Sequence, residues 1–367
     1  MSYKEYTFSE LATIKYGKNQ KKVVSDSGSI PIYGTGGLMG YAKEALYSKP
    51  SVLIGRKGTI EKVRYVTHPF WTVDTLFYTI INEEIIRPRY LYYLFLTIDL
   101  KKYNEGTTIP SLRTETLNRI KFFVPSLDVQ DRALSILGAL DDKIELNQRI
   151  NENLEQQAQA LFDNFFLNPK EIPDDWQKGS LLDIADYLNG LAMQKFRPLD
   201  CEIGLPVLKI RELRQGICDA SSELCSPNIK SKYIVSDGDV IFSWSGSLLV
   251  DFWCGGTCGL NQHLFKVTSS QYDKWFYYIW TKYHLAKFIT LASDMATTMG
   301  HIKREELSKS EVLIPNKTDY EYISGILQPI YNKIIINRIE NVRLSNLRET
   351  LLPRLMSGKL DVSNLDM

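Results

Sequence analysis

The stretch VPSLDVQDRALSILGALDDKIELNQRINENLEQQAQALFDNFFL, residues 124–167, decides the fold, because it predicts one uninterrupted helix. Between Leu127 and Phe166 there is no proline and a single glycine, so nothing obliges the helix to break. A helix over 126–167 would be about 60 Å long and cannot bury an apolar stripe against itself, so it needs a partner helix. The stripe recurs at helical spacing through Ile136, Leu140, Ile144, Ile150, Leu154, Ala158, Leu161 and Phe165.

The partner is found 190 residues further along the same chain. Residues 107–126, TTIPSLRTETLNRIKFFVPS, align with residues 297–316, TTMGHIKREELSKSEVLIPN. The chain is therefore a tandem repeat of about 190 residues, in which each copy is a mixed domain followed by a long helix. The alignment continues into the helices, where Lys143, Ile144, Asn147, Asn151, Leu154 and Leu161 fall on Lys333, Ile334, Asn337, Asn341, Leu344 and Leu351.

The predicted fold class is α/β (α+β), with four segments at 1–125, 126–170, 171–315 and 316–367. The first and third are mixed domains, and the second and fourth contain the long helices, of which the distal one covers 319–356. Asn147 and Asn337 lie on or beside the apolar stripe, where they either fix the helix register or are solvated flank positions. The residues expected to pack the helices together are Ile136, Leu140, Ile144, Asn147, Leu154, Leu161, Ile330, Ile334, Asn337, Leu344 and Leu351.

Composition sets bounds on partners and location. The 367 residues are 44% hydrophobic, enough for two cores, and the net charge of +1 means that nucleic-acid binding would depend on local basic patches. The first ten residues lack an apolar signal core and no run reaches 18 apolar residues, which predicts a soluble cytoplasmic protein. All five cysteines lie in the second repeat, an odd number that does not suggest a disulfide framework. Cys254 and Cys258 with His263 make at most half a metal site, so no metal is expected.

The first repeat has a candidate DNA-contacting hairpin at SVLIGRKGTIEKVRYV, residues 51–66. Its glycines let the backbone approach a surface while Arg56 and Lys57 project from the tip towards phosphates or base edges. The alternative is an ordinary solvated turn. A basic loop at 18–22 precedes the hairpin, and GTGGLMG at 34–40 is predicted to be a turn between short strands, because it lacks the residues of a phosphate loop.

The second repeat keeps this order of elements but changes the projecting residues. Trp244–Ser247 stands where the first repeat has Arg56–Thr59, and VLKIRELRQG, residues 207–216, predicts a basic stripe. The repeated loops at 107–113 and 297–303 keep hydroxyls and a cation, which are groups that hold phosphates. The alternative is that they cap a helix, Ser111 with Glu115 in the first copy, and the two roles are compatible because a capped helix start is itself an anion site. The candidate DNA-binding residues are Lys18, Lys21, Lys22, Arg56, Lys57, Ser111, Arg113, Lys195, Arg197, Lys209, Arg211, Arg214, Trp244, Ser247, His301, Lys303 and Arg304.

Catalytic motifs are missing from the sequence. A DNA adenine methyltransferase needs an Asn-Pro-Pro-aromatic loop or similar, and the nearest string, Asn168-Pro169-Lys170, does not serve. There is no phosphate loop for a motor. Asp141-Asp142-Lys143 fits a nuclease triplet formally, but it lies inside the long helix, so we interpret it as a solvated helix face. The sequence therefore predicts a recognition module that is not an enzyme.

The order of these blocks resembles that of the DNA-specificity subunits of Type I restriction-modification systems. The resemblance covers nearly the whole length and rests on IGRKGTI followed by VDTLFY, on the repeated block at 107–126, on the helix after each domain, and on the closing ETLLPRLMSGKLDV. It implies two target recognition domains that each read half of a split double-stranded DNA sequence. It also implies an antiparallel coiled coil that sets their spacing and docks two methyltransferase subunits, with restriction and translocase subunits joining for cleavage.

The resemblance further implies that this chain binds no cofactor, since S-adenosylmethionine, ATP and Mg would belong to the partner subunits. Basic and hydroxyl residues would position the DNA backbone, with Arg56, Lys57, Arg211, Arg214 and Trp244 nearest the bases. Two alternatives remain at this point. One is a specificity module of a single-methyltransferase or fused system, and the other is a coiled-coil scaffold for proteins that does not bind specific DNA.

Overall fold

The computed structural model describes residues 3–169, 171–294 and 302–362. The chain divides into two compact units: unit 1 comprises residues 1–142 and 346–367, and unit 2 comprises residues 143–345. Each unit contains one copy of the mixed domain. The predicted limits of the four segments stay a prediction.

Unit 1 begins with a strand, a helical turn and a series of short strands. Its elements are β1 (Lys4–Thr7), α1 (Phe8–Leu11), β2 (Ala12–Tyr16), β3 (Ile30–Gly34), β4 (Gly37–Ala42), β5 (Ser51–Gly55), β6 (Val63–Val66), β7 (Trp71–Thr72), β8 (Leu76–Ile81), α2 (Pro88–Leu96), α3 (Thr114–Asn118), β9 (Lys121–Val124) and the long helix α4 (Leu127–Phe162).

Three small sheets organise unit 1. The antiparallel sheet β2-β8-β5-β6 carries the core, the sheet β4-β3-β7 pairs β3 with β7 in parallel, and β1 pairs with β9. Every residue of β5 is buried, as expected for an apolar strand in the middle of a sheet. The predicted hairpin is confirmed, with β5 and β6 pairing antiparallel. Of residues 34–40, predicted as a turn, only Thr35 and Gly36 form the turn between β3 and β4, and 37–40 belong to β4. Residues 70–81 form β7 and β8 with a turn between them.

Unit 2 repeats this plan. Its elements are β10 (Gln177–Ser180), α5 (Leu181–Ile184), β11 (Asp186–Asn189), β12 (Leu205–Leu208), α6 (Ile210–Gln215), β13 (Leu224–Cys225), β14 (Ile234–Val235), β15 (Val240–Ser243), β16 (Leu249–Phe252), β17 (Cys258–Leu260), β18 (Leu264–Thr268), α7 (Lys274–Asp294), α8 (Arg304–Ser308), β19 (Glu311–Ile314) and the long helix α9 (Lys317–Met356). The last turns of α9, from Asn346 onward, belong to unit 1.

The sheets of unit 2 follow the plan of those in unit 1, although the sheet β13-β12-β17-β14 has one strand more than β4-β3-β7. The sheet β11-β18-β15-β16 has the order of β2-β8-β5-β6, β10 pairs with β19 as β1 does with β9, and β12 pairs with β17 in parallel as β3 does with β7. In both units the aromatic helix after the sheet packs on it; α2 is largely buried, and α7 is buried mainly over residues 275–281. The repeat predicted from the sequence is therefore a repeat of folded domains.

The long helices agree closely with the prediction. Helix α4 covers Leu127–Phe162 and ends in one π-helical turn at Asp163–Leu167, and α9 covers Lys317–Met356. Helix α9 continues through Pro329, which is exposed, so the missing backbone donor does not have to be compensated inside the protein. All eleven residues predicted to pack the helices are buried or half-buried.

Paired asparagines join α4 to α9 within unit 2. The Asn147 amide donates to Asn341 Oδ1 at 2.9 Å, and the Asn337 amide donates to Asn151 Oδ1 at the same distance. Because a shift of 190 residues turns 147 into 337 and 151 into 341, the two bonds are equivalent by the repeat. Asn147 and Asn337 are 1% and 0% exposed, so the solvated alternative is wrong.

Half-buried charges hold the domains against the helices. In unit 2, Arg338 on α9 donates to Asp251 on β16 and to Glu155 on α4, at 2.6 and 2.7 Å. In unit 1, Asp141 on α4 accepts from the Tyr93 hydroxyl on α2 at 2.6 Å and from Arg348 on α9 at 2.8 Å. The interpretation of 141–143 as a solvated helix face is therefore wrong for Asp141, whose side chain is only 18% exposed. Its role is to join three helices.

None of the described helices is long and apolar enough to cross a membrane.

Candidate nucleic-acid interface

Five loops of unit 1 meet at one end of the sheet that contains β5, and we call them loop cluster 1: 17–18, 34–37, 56–59, 73–75 and 104–113. The hairpin loop is held on both sides, because the amides of Arg56 and Lys57 donate to the Thr75 carbonyl and the amide of Gly58 donates to the Pro110 carbonyl. These bonds fix a loop that the sequence alone would allow to move.

The matching loops of unit 2 form loop cluster 2: 190–191, 209–210, 244–247, 261–263 and 302–303. The Ile302 amide donates to the Trp244 carbonyl, as the Leu112 amide donates to the Arg56 carbonyl in unit 1. Ile302 and Leu112 are equivalent by the repeat, so Trp244 and Arg56 occupy the same backbone position. The predicted correspondence of the two hairpin tips is thereby confirmed.

A glycine in each cluster permits a close crossing of the chain. A Cβ atom on Gly17 would lie 2.0 Å from the Val73 carbonyl oxygen, and one on Gly190 would lie 2.2 Å from the Asn261 carbonyl oxygen. The two glycines also make the same hydrogen bond, from Gly17 to Leu76 and from Gly190 to Leu264. A side chain at either position would push the loops apart.

Arg56 is held in place by the loops around it. Its Nη1 donates to the Asp74 carbonyl oxygen at 2.9 Å, and its guanidinium lies over the Tyr16 ring, 5.3 Å from the ring centre. Tyr16 is itself fixed edge-on against Phe77 and is 52% exposed. The guanidinium has further N–H groups for a ligand, since Arg carries five donors.

The other candidates of unit 1 surround Arg56. Lys57 is exposed and forms no ion pair within the described part of the chain, while its backbone pairs with Ser111. Arg113 is bonded to Glu105 at 3.1 Å. It also occupies the cap position of α3, so the expectation that Ser111 caps this helix with Glu115 is wrong. Lys18 lies in loop cluster 1, and Lys21 and Lys22 are exposed in the turn that follows.

Trp244 has different neighbours from those of Arg56. Its indole Nε1 donates to Asn189 Oδ1 at 3.0 Å, and its ring lies against Phe265 and His263, with centres 5.6 and 6.2 Å apart. His263 Nδ1 lies 3.0 Å from the Ser245 hydroxyl, and Gln262 lies beside the same imidazole. Ser247 is exposed at the tip. Loop cluster 2 thus presents an aromatic ring, amides and hydroxyls.

Several cations of unit 2 are already paired with carboxylates. A hydrogen bond from Lys209 lowers the pKa of the Glu223 carboxyl, which also lies 3.6 Å from Arg197. Arg211 donates to Glu212 at 2.6 Å and lies 3.4 Å from Asp219, and the bond to Glu212 raises the pKa of its guanidinium. The predicted basic stripe along α6 is therefore largely compensated.

The remaining candidates lie in three places. Arg214 does not join loop cluster 2 but lines a cleft of about 360 Å³ between α6, β16 and the two long helices of unit 2. Lys195 is exposed in the turn after β11. Lys303 and Arg304 are exposed at the start of α8, where Arg304 reaches the Tyr187 carbonyl. His301 lies outside the described residues.

Sequence reasoning missed four residues in or directly beside the clusters: Tyr16, Asn189, Gln262 and His263. The repeat alignment offers a signal for the first two, because each comes directly before the glycine of the close crossing, Gly17 or Gly190. Gln262 and His263 carry no comparable signal, since only the fold brings 261–263 beside Trp244.

The cysteines give no sign of a metal site. All five are free thiols, and burial raises the pKa of Cys254 to about 12. Among the described residues, no three His, Cys, Asp or Glu side chains are arranged to hold a metal ion.

Comparison with known proteins gives a consistent result. A model of the family described as Type I restriction modification DNA specificity domain matches residues 2–156 and 173–345. The chain is 28% identical over 350 residues to the Type I restriction enzyme MjaIX specificity subunit of Methanocaldococcus jannaschii, covering 87% of this chain and 80% of that protein. It is 20% identical over 361 residues to the HindI specificity subunit of Haemophilus influenzae, covering 76% and 79%.

A solved structure shows the same fold. The S subunit of a Type I restriction-modification system from M. genitalium matches with a TM-score of 0.64 and 14% identity, over 97% of this chain and 96% of that one.

Proposed function

Since the chain belongs to the family of Type I restriction modification DNA specificity domains, we propose that it is the subunit that gives such a system its DNA sequence specificity. Each unit reads one half of a split target through its loop cluster. The observation that carries this proposal is the equivalence of the two clusters. The same backbone holds Arg56 in one and Trp244 in the other, as expected of related domains with different targets.

The positive charge for DNA binding is local. Lys18, Lys21, Lys22 and Lys57 lie on or beside loop cluster 1, and none of them forms an ion pair with another described residue. Lys195, Lys303 and Arg304 supply exposed cations to unit 2. Such residues position the phosphate backbone, while the hairpin tips face the bases. A net charge of +1 is compatible with this arrangement, because phosphate contacts depend on the cations nearest the DNA and not on the sum over the chain.

The long helices form an antiparallel coiled coil that sets the spacing of the half-sites and docks two methyltransferase subunits. The contacts inside unit 2 support the antiparallel direction, because Ile144 and Asn147 meet Asn341 while Asn151 meets Asn337 and Glu155 meets Arg338. The chain itself is non-catalytic and acts in the cytoplasm. S-adenosylmethionine, ATP and Mg are bound by the methyltransferase and restriction subunits.

The direct test measures how the purified chain, together with its methyltransferase, binds DNA duplexes. One duplex contains the sequence that the system methylates, and the other lacks it. We expect at least a 1,000-fold preference for the motif and an affinity that falls steeply with salt, as phosphate contacts require. A scaffold that binds only proteins would show neither. Weak binding that is salt-dependent but indifferent to sequence would contradict the specificity role.

A further inference from the structure

The two equivalent hairpin positions differ in chemistry, and the difference points to different base pairs. We infer that Arg56 reads a guanine in one half-site, and that Trp244 with Asn189 and Gln262 reads an A·T pair at the corresponding place in the other. This inference rests on the proposed function and adds the base class that each unit recognises.

The position is defined by the backbone in both units. The residue directly after the central strand, Arg56 after β5 and Trp244 after β15, offers its carbonyl to the equivalent amide of Leu112 or Ile302. The residue opposite, at the end of β2 or β11, is Tyr16 or Asn189, and beneath them lies Phe77 or Phe265. Three positions thus repeat while two of the three side chains change. This pattern is expected of a base-contacting site whose backbone stays the same while its side chains vary.

In unit 1 the residues around this position hold the Arg56 guanidinium in a fixed orientation. The Asp74 carbonyl and the Tyr16 ring fix the plane of the Arg56 side chain, which reduces the loss of side-chain freedom on binding. An arginine fork matches the O6 and N7 acceptors of guanine in the major groove. Lys57, one residue further along the exposed tip, adds a second cation that could donate hydrogen bonds to a phosphate or to the same guanine.

In unit 2 none of the three equivalent residues, Asn189, Trp244 and Phe265, is a cation. Trp244 presents an aromatic ring whose Nε1 donates to Asn189 Oδ1. The Gln262 amide nitrogen lies 3.4 Å from His263 Nε2, and the His263 ring lies against Trp244. An amide can pair with the N6 and N7 atoms of adenine, and an apolar surface contacts the methyl group of thymine. The charged neighbours Lys209 and Arg211 are engaged with carboxylates, and Lys303 is assigned to the phosphate backbone, which leaves the amides and the ring to define the base contact.

The test is genome-wide methylation mapping in cells that carry the chain with its methyltransferase. Arg56→Ala should relax one position of one half-site, where the preference for G·C falls about tenfold or more, and should leave the other half-site unchanged. Trp244→Ala should relax one A·T position in the other half-site. Lys15→Gln is the matched control, because Lys15 is an exposed cation on β2 that lies outside loop cluster 1.

The outcomes separate this inference from the proposed function. If the wild-type chain gives no split motif, the proposed function fails. If it gives one and Arg56→Ala lowers methylation evenly at all sites, Arg56 contacts phosphate and the base assignment is wrong. If Arg56→Ala abolished all methylation, Arg56→Gln would be tested, because glutamine keeps an amide donor and should shift the base preference at that position towards A·T. An unchanged base preference with Arg56→Gln would also overturn the inference.

Discussion

Asn337 shows what one buried polar side chain does for the helix pair. Its amide is bonded to Asn151, while its own oxygen has no hydrogen-bond partner among the described residues. The Asn147 amide likewise donates to Asn341, while the Asn147 side-chain oxygen has no hydrogen-bond partner among the described residues. A polar group that is only partly satisfied costs stability, and such residues are retained in coiled coils where they specify register. The two asparagine pairs therefore favour one alignment of α4 with α9.

Replacing Asn337 by alanine should lower the free energy of unfolding by about 1–3 kcal/mol, because the side-chain oxygen of Asn151 then stays buried without its donor. Urea unfolding followed by circular dichroism measures the change. Asn332→Ala on the same helix is the control, since Asn332 is exposed and should change stability by less than about 0.5 kcal/mol. Equal effects of the two substitutions would contradict the role assigned to Asn337.

A second prediction concerns the glycine of the close crossing in loop cluster 1. Gly17→Ala places a methyl group within van der Waals overlap of the Val73 carbonyl, so loops 17–18 and 73–75 must separate and Arg56 loses its support. DNA affinity should fall at least tenfold, measured by fluorescence anisotropy. Gly36→Ala is the matched control in the same cluster, because a Cβ atom there meets nothing within 4 Å. An unaffected affinity in Gly17→Ala would show that the crossing does not organise the site.

At the scale of elements, Arg338 connects the second domain to its helices. Burial alone would lower the pKa of this guanidinium, but the charges of Asp251 and Glu155 raise it, so the group stays charged in its cleft. It joins β16, which forms one side of the hairpin that carries Trp244, to both α4 and α9. The orientation of the reading hairpin thus depends on an ion pair with the helices.

Arg338→Met should destabilise unit 2 by about 1–2 kcal/mol, because two half-buried carboxylates lose their partner and solvent compensates part of the loss. Differential scanning calorimetry should show a lower transition temperature. Arg343→Met, an exposed position five residues further along α9, is the control. A transition that moves equally in both variants, or in neither, would contradict the anchoring role.

Elements were more predictable from the sequence than contacts. The helices at 126–167 and 319–356 followed from apolar spacing and the absence of breakers, and the hairpin at 51–66 followed from its glycines between β-rich runs. Asp141 was misinterpreted because periodicity places it beside other charges, and only the fold brings Tyr93 and Arg348 to it. The prediction of the residues in loop cluster 2 was incomplete for the same reason, since Gln262 and His263 approach Trp244 through tertiary packing.

At the scale of the whole molecule, the helices are expected to measure the distance between the half-sites. The chain passes between its two compact units at residues 142–143 and 345–346. Four helix-forming residues inserted at both places add about one turn, or about 6 Å, to each helix. The methylated motif should then keep both half-sites and gain about one or two base pairs of spacer, since base pairs are about 3.4 Å apart. A changed half-site with the old spacer would contradict this role of the helices.

The most direct test of the central claim is methylation mapping across the genome of cells that express this chain with its methyltransferase, compared with cells that lack the chain. We predict a split motif, with two short specific sequences on either side of a spacer of fixed length, that appears only when the chain is present. A continuous motif would contradict reading by two separate units. No motif, with the methyltransferase shown to be active, would contradict the specificity role itself.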